Sequence, residues 1–176
     1  MLNGLSWKSF KIENLFKELI NEIKKDWTIP KHMDSISHDL LFRCQFFHGF
    51  IGIDELLIDL PIEFVEFYKL ANGAYLFEDI VYGQWGLQLL DAFLIQEKTR
   101  DFIEGNSDYL KGDLIVGEFL GDSDLLLLRT DPSKNDYGSM MIVTPLDSRN
   151  NWNNLELNFY NFITEYVSEL GQKFWE

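Results

Sequence analysis

The residues Gly121-Asp122-Ser123 follow an apolar run, in the way that some esterases present a nucleophilic serine. Such a serine needs a base within hydrogen-bond reach, normally a histidine that a carboxylate orients. The hydrolases with this triplet carry that histidine near the C-terminus, whereas the three histidines of this chain all precede Ser123. Glycine, aspartate and serine are also ordinary turn residues. We therefore predict that the triplet forms the bend of a β-hairpin.

Cys44 and His48 are a second candidate, because residues four apart share one face of a helix. With His38 they would form a partial metal site or a thiol–base pair. The neighbouring residues are leucines and phenylalanines, and a buried thiol among such residues behaves as a small hydrophobe. Structural metal sites also use four well-placed ligands. We therefore predict no catalytic residue, no metal ion and no cofactor in this chain.

Carboxylates occur in local sets, which are Glu78 with Asp79, Asp122 with Asp124, and Asp131 with Asp136. None of these sets matches the twelve-residue calcium loop, with its central glycine and closing glutamate. Two carboxylates across a cleft would suit glycoside hydrolysis, so a carboxylate-dependent hydrolase stays open as an alternative. Solvated carboxylates in loops are the simpler interpretation. The chain also lacks a phosphate-binding glycine loop with its lysine.

Charge is distributed unevenly along the chain. Its 176 residues include 15 basic and 29 acidic side chains, which gives a net charge of −14. Residues 1–50 hold 7 basic and 6 acidic residues, whereas residues 51–176 hold 8 basic and 23 acidic ones. A surface this negative repels phosphate backbones and argues against direct binding of nucleic acid. It favours encounter with a basic protein, although plain solubility explains it more simply.

The composition is that of a globular protein, since apolar residues make up 46% of the chain. No apolar run reaches the length of about 18 residues that a membrane span needs. The N-terminal residues lack the apolar region and cleavage site of a signal peptide. Cys44 is the only cysteine, so no internal disulfide can form. We expect one globular unit in the cytoplasm, without membrane contact.

Residues 1–54 are predicted to form a helical segment that packs on the core. Apolar residues recur at three- and four-residue steps over residues 10–27, which predicts an amphipathic helix with Ser9 as its N-cap. Residues 35–50 are rich in aromatics and predict a short buried helix that ends at Gly49. Exposed aromatic side chains in this second segment would suit a homodimer interface.

Residues 58–74 carry the clearest local signals in the sequence. Pro61 fits the first position of a helix, where its missing N–H costs nothing. Glu63 falls in the first turn, where the helix dipole favours a negative charge. Asn72-Gly73 supplies a left-handed stop. These residues predict a helix of about three turns with both ends specified.

Beyond Gly73, apolar runs separated by turn residues predict β-strands. Two of them flank a turn at residues 83–84, and three more lie within residues 114–145. Residues 125–128 are four consecutive leucines, which indicates a central strand covered on both faces. A helix with an aspartate cap is predicted between the two groups, over residues 91–103.

Helical spacing returns over residues 158–170. Helices at both ends with strands between them predict an α+β domain over residues 55–176. We expect N-terminal helices, a central and largely antiparallel sheet of about five or six strands, and a C-terminal helix.

The order of these landmarks is more specific than any one of them. Leu60-Pro61 opens a helix that closes with Asn72-Gly73, and a strand pair containing Trp85 follows. Then come "LIVGEFLGDSDLLLLRTD", "YGSMMIVTP", a loop with Trp152, and "NFYNFITEYV". This order resembles the SUKH superfamily of Smi/Knr-like proteins over about residues 55–170. Bacterial members of that superfamily include many immunity proteins that neutralise polymorphic toxins.

The resemblance implies a non-enzymatic protein-binding domain, which in immunity proteins caps a toxin domain that is often a nuclease. Nuclease domains attract phosphate and are commonly basic, so an acidic binder suits them. Affinity also requires apolar or aromatic anchors. The predicted partner-binding residues are Tyr82, Trp85 and Trp152 as anchors, with the carboxylates of Glu78, Asp79, Glu118, Asp122 and Asp124. Each also has a structural alternative in the core or in a turn.

Two other functions stay open from the sequence. The first is a regulatory scaffold of the cell-wall-synthesis regulator type, as in the yeast members, which would show as a stable complex unrelated to any toxin. The second is the carboxylate-dependent hydrolase, which would show as turnover that Asp122→Asn or Asp124→Asn abolishes.

Overall fold

The computed structural model describes residues 4–33, 36–49 and 60–176. The helices are α1 (Gly4–Trp27), α2 (Ile62–Leu70), α3 (Ala92–Gly105) and α4 (Phe159–Ser168). The strands are β1 (Lys31–Met33), β2 (Ser37–Phe46), β3 (Ala74–Asp79), β4 (Leu87–Leu89), β5 (Asp113–Phe119), β6 (Leu125–Arg129), β7 (Ser139–Val143) and β8 (Asn153–Asn158). A single turn of 3-10 helix, Arg149–Asn151, precedes β8.

The strands of the described residues form one antiparallel sheet in which their spatial order follows the chain from β1 to β8. The α+β class, the N-terminal helix and the C-terminal helix are confirmed. Among the described residues the sheet has eight strands rather than five or six, because the sequence pattern does not predict β1, β2 and β8. β1 and β2 extend the sheet on the far side of β3, so the first part of the chain contributes to the same sheet.

The prediction of a buried helix within residues 35–50 is wrong, because this segment contains β2. Phe42 and Cys44 are buried, while the alternate residues Arg43 and Gln45 are more exposed. This two-residue alternation is typical of a strand, but the density of aromatics obscures it in the sequence. Antiparallel pairing with β3 supplies the backbone hydrogen bonds.

Helix α1 begins before the predicted start, so Ser9 lies inside it and is not its N-cap. The Ser9 hydroxyl instead donates to Oε1 of Glu66 on α2, at 2.7 Å. Lys69 donates to the same oxygen at 3.1 Å, which gives the buried Glu66 carboxylate two partners. The hydroxyl thus ties α1 to α2.

The predicted ends of α2 are close to the observed ones. Pro61 occupies the N-cap position rather than the first helical turn, and Glu63 lies in the first turn as predicted. Gly73 has a φ of +91°, the left-handed conformation that the Asn-Gly stop predicts. The side chain of Asn72 accepts a hydrogen bond from the backbone N–H of Ala92, so the end of α2 also orders the start of α3.

Phenylalanine rings join α1, α2 and α4. Phe16 of α1 lies 5.4 Å from Phe67 of α2 and 6.2 Å from Phe159 of α4, measured between ring centres. Phe67 and Phe159 are 5.3 Å apart, and both are fully buried. Edge-to-face contacts of this kind add to the free energy gained from burial. The three helices are therefore held together by one aromatic cluster.

A buried ionic network joins the strands where β5 begins and β6 ends. Arg129 hydrogen-bonds to Asp113, and its Nε lies 2.9 Å from Oδ2 of Asp136. Arg149 binds Asp113 in bidentate fashion, at 2.7 and 3.1 Å. Burial opposes the positive charge of Arg129, but the hydrogen bonds to Asp136 and Asp113 outweigh it and raise its pKa. The network fixes this end of the sheet, opposite the β5–β6 turn.

None of the helices in the described residues is both long and apolar enough to cross a membrane.

Candidate functional site

The β3–β4 loop, residues 80–86, and the β5–β6 turn, residues 120–124, lie side by side at one end of the sheet. They meet because β4 pairs with β5, with Leu87 opposite Phe119. The backbone N–H of Leu120 donates to the carbonyl of Gly86 at 2.9 Å and continues this pairing into the loops. The Gly121-Asp122-Ser123 triplet is the hairpin bend that the sequence predicts.

Gly121 allows the two loops to touch. Its φ is +88°, and a Cβ at this position would lie 2.1 Å from the carbonyl oxygen of Gln84. Real Cβ atoms do not approach a backbone oxygen so closely, so both the conformation and the space require glycine.

The C-terminal residues 171–176 form the third wall of a groove beside these loops. Gly171 has a φ of +79°, and a Cβ there would lie 2.7 Å from Cβ of Phe77, so the chain passes close to β3. The groove has a volume of about 410 Å³. Its walls combine aromatic and charged side chains, among them Trp85, Phe119, Asp122, Tyr166, Lys173 and Glu176.

Lys173 binds carboxylates on both sides of the groove. Its Nζ lies 2.8 Å from Oδ2 of Asp122, 2.8 Å from Oδ2 of Asp124 and 3.2 Å from Oε1 of Glu176. It also lies 5.7 Å from the centre of the Phe119 ring. Burial disfavours the charged ammonium, but the hydrogen bonds with Asp122 and Asp124 outweigh it and raise the pKa of Lys173. Three carboxylates thus surround one lysine.

An apolar tip, residues 80–82, projects from the β3–β4 loop next to the groove. Ile80, Val81 and Tyr82 are 41%, 45% and 65% exposed. The carboxylate of Asp79 fixes the tip, because it accepts hydrogen bonds from the N–H groups of Val81 and Tyr82 at 2.9 and 3.1 Å. The turn closes at Gly83, whose N–H donates to the carbonyl of Asp79. A fixed turn therefore presents three apolar side chains to solvent.

Trp85 connects the apolar tip to the groove. Its ring is half-buried and contacts Phe42 of β2 edge to face, with ring centres 6.4 Å apart. Its indole Nε1 is buried and has no hydrogen-bond partner within the described part of the chain. Such unpaired donors are uncommon in protein interiors.

The predicted partner-binding residues fall into three groups. Tyr82, Trp85, Asp122 and Asp124 come together around the apolar tip and the groove. Glu78 and Glu118 are half-exposed and form ion pairs within the chain, with Arg43 at 2.9 Å and Lys98 at 2.7 Å.

Asp79 and Trp152 form the third group, and both are buried. The carboxylate of Asp79 is used by the turn that it fixes. The Trp152 indole donates to the carbonyl of Asp147 at 3.1 Å, and its ring packs on Phe102. The structure therefore gives these two side chains roles in the interior.

Sequence reasoning missed four residues of this site: Ile80, Val81, Lys173 and Glu176. Residues 80–81 continue the apolar pattern of β3, so they look like part of a buried strand. The signal for their exposure is Asp79 followed by Gly83, because aspartate and glycine favour a turn there. Lys173 contacts Asp124, which lies 49 residues away in the chain, so no local sequence pattern indicates this contact.

The second candidate site, at Cys44, is not assembled. The Cys44 side chain is buried, whereas His48 is exposed beyond the end of β2. Burial raises the pKa of the Cys44 thiol to about 12, despite a hydrogen bond from the N–H of Phe77. A thiol with that pKa stays protonated and unreactive near neutral pH. His38 has no described side chain, and no cluster of metal-ligating side chains occurs within the described ranges.

Comparison with known proteins places this fold in a family. A sequence model of the SMI1/KNR4 family (SUKH-1) matches residues 53–165. The chain is also 29% identical over 122 residues to the "Uncharacterized protein YobM" of Bacillus subtilis (strain 168). That match spans 68% of this chain and 63% of the length of YobM. The family match runs from the residues before α2 into α4 and includes the apolar tip and the β5–β6 turn. The chain belongs to the SMI1/KNR4 family (SUKH-1).

Proposed function

We propose that this chain is a non-enzymatic, acidic protein-binding domain of the immunity type, which neutralises a basic toxin domain in the cytoplasm by direct binding. Family membership supports the general class, because bacterial relatives of this superfamily include such immunity proteins. The observation that carries the proposal is the fixed apolar tip beside a groove with three carboxylates and one lysine.

Most basic residues in the acidic part of the chain are already paired with carboxylates of the same chain. Within the part of the chain that the structure describes, six of the eight basic residues after residue 50 form ion pairs with carboxylates, namely Lys69, Lys98, Arg100, Arg129, Arg149 and Lys173. Arg129 is buried and Arg149 is mostly so. Their charges are satisfied inside the chain and do little to attract an anionic partner. A basic protein surface is the partner that the remaining field favours.

The two features of the site have different roles in binding. Opposite charges accelerate encounter and select partners, whereas affinity comes mainly from a few well-packed apolar or aromatic anchors. The apolar tip supplies such anchors, because the hydrogen bonds to Asp79 fix its backbone before any partner arrives. Little conformational entropy is then lost from the tip on binding.

The direct test is co-expression with the toxin domain that a neighbouring gene encodes. We expect a 1:1 complex, protection of the host cell, and association that slows as the salt concentration rises. An unrelated basic nuclease domain is the control for charge alone and should bind at least about a hundredfold more weakly. Absence of both complex and protection would refute the proposal.

A further inference from the structure

We infer that the apolar tip and the groove together form the docking surface for a basic segment of the protein partner, and that Lys173 occupies the position of a cationic side chain from that segment. This inference rests on the proposed function and names the contact surface that it uses.

The surroundings of the Lys173 ammonium are those of a cation-binding position. Two carboxylates, of Asp122 and Asp124, lie 2.8 Å from its Nζ, and the Phe119 ring lies beneath it. Carboxylates and aromatic faces are the groups that bind lysine and arginine at protein interfaces. The chain therefore contains a position suited to a partner's cation and fills it with its own side chain.

The position retains negative charge when Lys173 is bound. Three carboxylates face one ammonium, which leaves a formal charge of −2 at the mouth of the groove. Asp122 and Glu176 are 37% and 65% exposed, so a second cation can reach them from solvent. An arginine of the partner would bind these outer oxygens directly or displace Lys173 from them.

The apolar tip determines which cationic partner fits. Ile80 and Tyr82 are exposed in the same loop that supplies Trp85 to the wall of the acidic groove, so they need an apolar surface near the partner's basic residues. An anionic membrane or a nucleic acid would be repelled by the carboxylates. A folded basic protein satisfies both requirements, because it can present arginines and an apolar patch on one face.

The test uses the isotopically labelled full chain and a hexa-arginine peptide, followed by NMR. We expect the peptide to shift the Trp85 indole N–H resonance and the backbone resonances of Asp122 and Lys173, while a hexa-glutamate peptide shifts none of them. Asp122→Asn/Asp124→Asn should weaken peptide binding about fivefold. The control Asp101→Asn/Glu104→Asn on α3 changes the net charge equally and should alter binding less than about twofold.

The position of Lys173 is tested by Lys173→Met, which removes the internal competitor. We expect the peptide to bind this variant about threefold more tightly than the unaltered chain. If the acidic double variant unfolds, Glu176→Gln tests the same surface, because its carboxylate is largely exposed. We expect that change to weaken binding about twofold.

The inference is overturned if the peptide fails to bind, if its shifts lie on α1 or α3, or if Lys173→Met weakens binding. Each of these outcomes leaves the proposed function intact, since complex formation with the toxin domain is measured separately. A complex that forms but is unaffected by Tyr82→Ala would likewise overturn only the docking surface.

Discussion

Replacing Gly121 by alanine should destabilise the chain through the contact between the β5–β6 turn and the β3–β4 loop. The new Cβ would lie 2.1 Å from the carbonyl oxygen of Gln84, so the loop must retreat by about 1 Å. This movement breaks or stretches the hydrogen bond from the N–H of Leu120 to the carbonyl of Gly86, at 2.9 Å. The groove between the loops would open at the same time.

The magnitude follows from three terms. A left-handed φ of +88° costs an alanine about 1 kcal/mol relative to glycine. The strained or lost hydrogen bond costs about 1 kcal/mol more, and the overlap that remains after the loop moves adds up to about 1 kcal/mol. We expect Gly121→Ala to lower the free energy of unfolding by about 2–3 kcal/mol.

Two matched glycines separate these terms. Gly83 also has a positive φ, +67°, but a Cβ there meets nothing within 4 Å, so Gly83→Ala should cost about 1 kcal/mol. Gly105 closes α3 in open space without a positive φ, so Gly105→Ala should be neutral or stabilise by up to about 1 kcal/mol.

Urea unfolding monitored by tryptophan fluorescence and by far-ultraviolet circular dichroism measures all three changes on one scale. If Gly121→Ala costs no more than Gly83→Ala, the close approach of the two loops is not a feature of the folded chain. The explanation of the groove would then be refuted.

Three further changes test other parts of the structure. Asp113→Asn should lower the free energy of unfolding in urea by about 3 kcal/mol, because the buried Arg129 loses the charge of one of its carboxylate partners. The control Asp101→Asn, at an exposed position, should cost less than about 0.5 kcal/mol, and equal costs would contradict the network. Phe16→Ala should cost about 3–4 kcal/mol, since the ring is fully buried between helices, and a cost below about 1 kcal/mol would contradict that packing. Burial raises the pKa of Cys44 from its ordinary value of 9.0 to about 12, so above pH 9 the unfolded chain loses the thiol proton while the folded chain keeps it. The free energy of unfolding should therefore fall with rising pH between 9 and 12, more steeply than in Cys44→Ala by up to about 1.4 kcal/mol per pH unit. Identical pH slopes for the unaltered chain and Cys44→Ala would contradict the burial of the thiol.

Features set by neighbouring residues were predictable from the sequence. The ends of α2 follow from Pro61 and Asn72-Gly73, and Asp91 caps α3 through hydrogen bonds at 2.9 and 2.8 Å. The bend at residues 121–123 follows from turn residues between apolar runs. In each case the groups that fix the backbone lie within a few positions of each other, so no distant contact is needed.

Features that depend on distant residues were not predictable. β2 is a strand because it pairs with β3, with Phe42 opposite Asp79, and its aromatics hide the alternation. β8 is a mostly polar strand at the edge of the sheet, Asn153–Asn158, and lacks the apolar pattern of an interior strand.

The candidate site shows the same division. The sequence analysis predicts Tyr82, Trp85 and Asp122 as partner-binding residues because they are aromatic or acidic. The fold brings these three residues to one end of the sheet. Asp79 is buried, and its carboxylate accepts hydrogen bonds from the backbone of the turn. The sequence alone does not predict this burial. The contact of Lys173 with Asp122 requires the C-terminal residues to return beside β3.

Hydrogen exchange on the complex with the toxin domain tests the central claim most directly, because it locates the surface that the partner covers. Our account predicts that binding slows exchange at residues 80–86, 120–124 and 171–176, and leaves α3 unchanged. Protection confined to α1 or α3, with these three segments exchanging as fast as in the free chain, would contradict it.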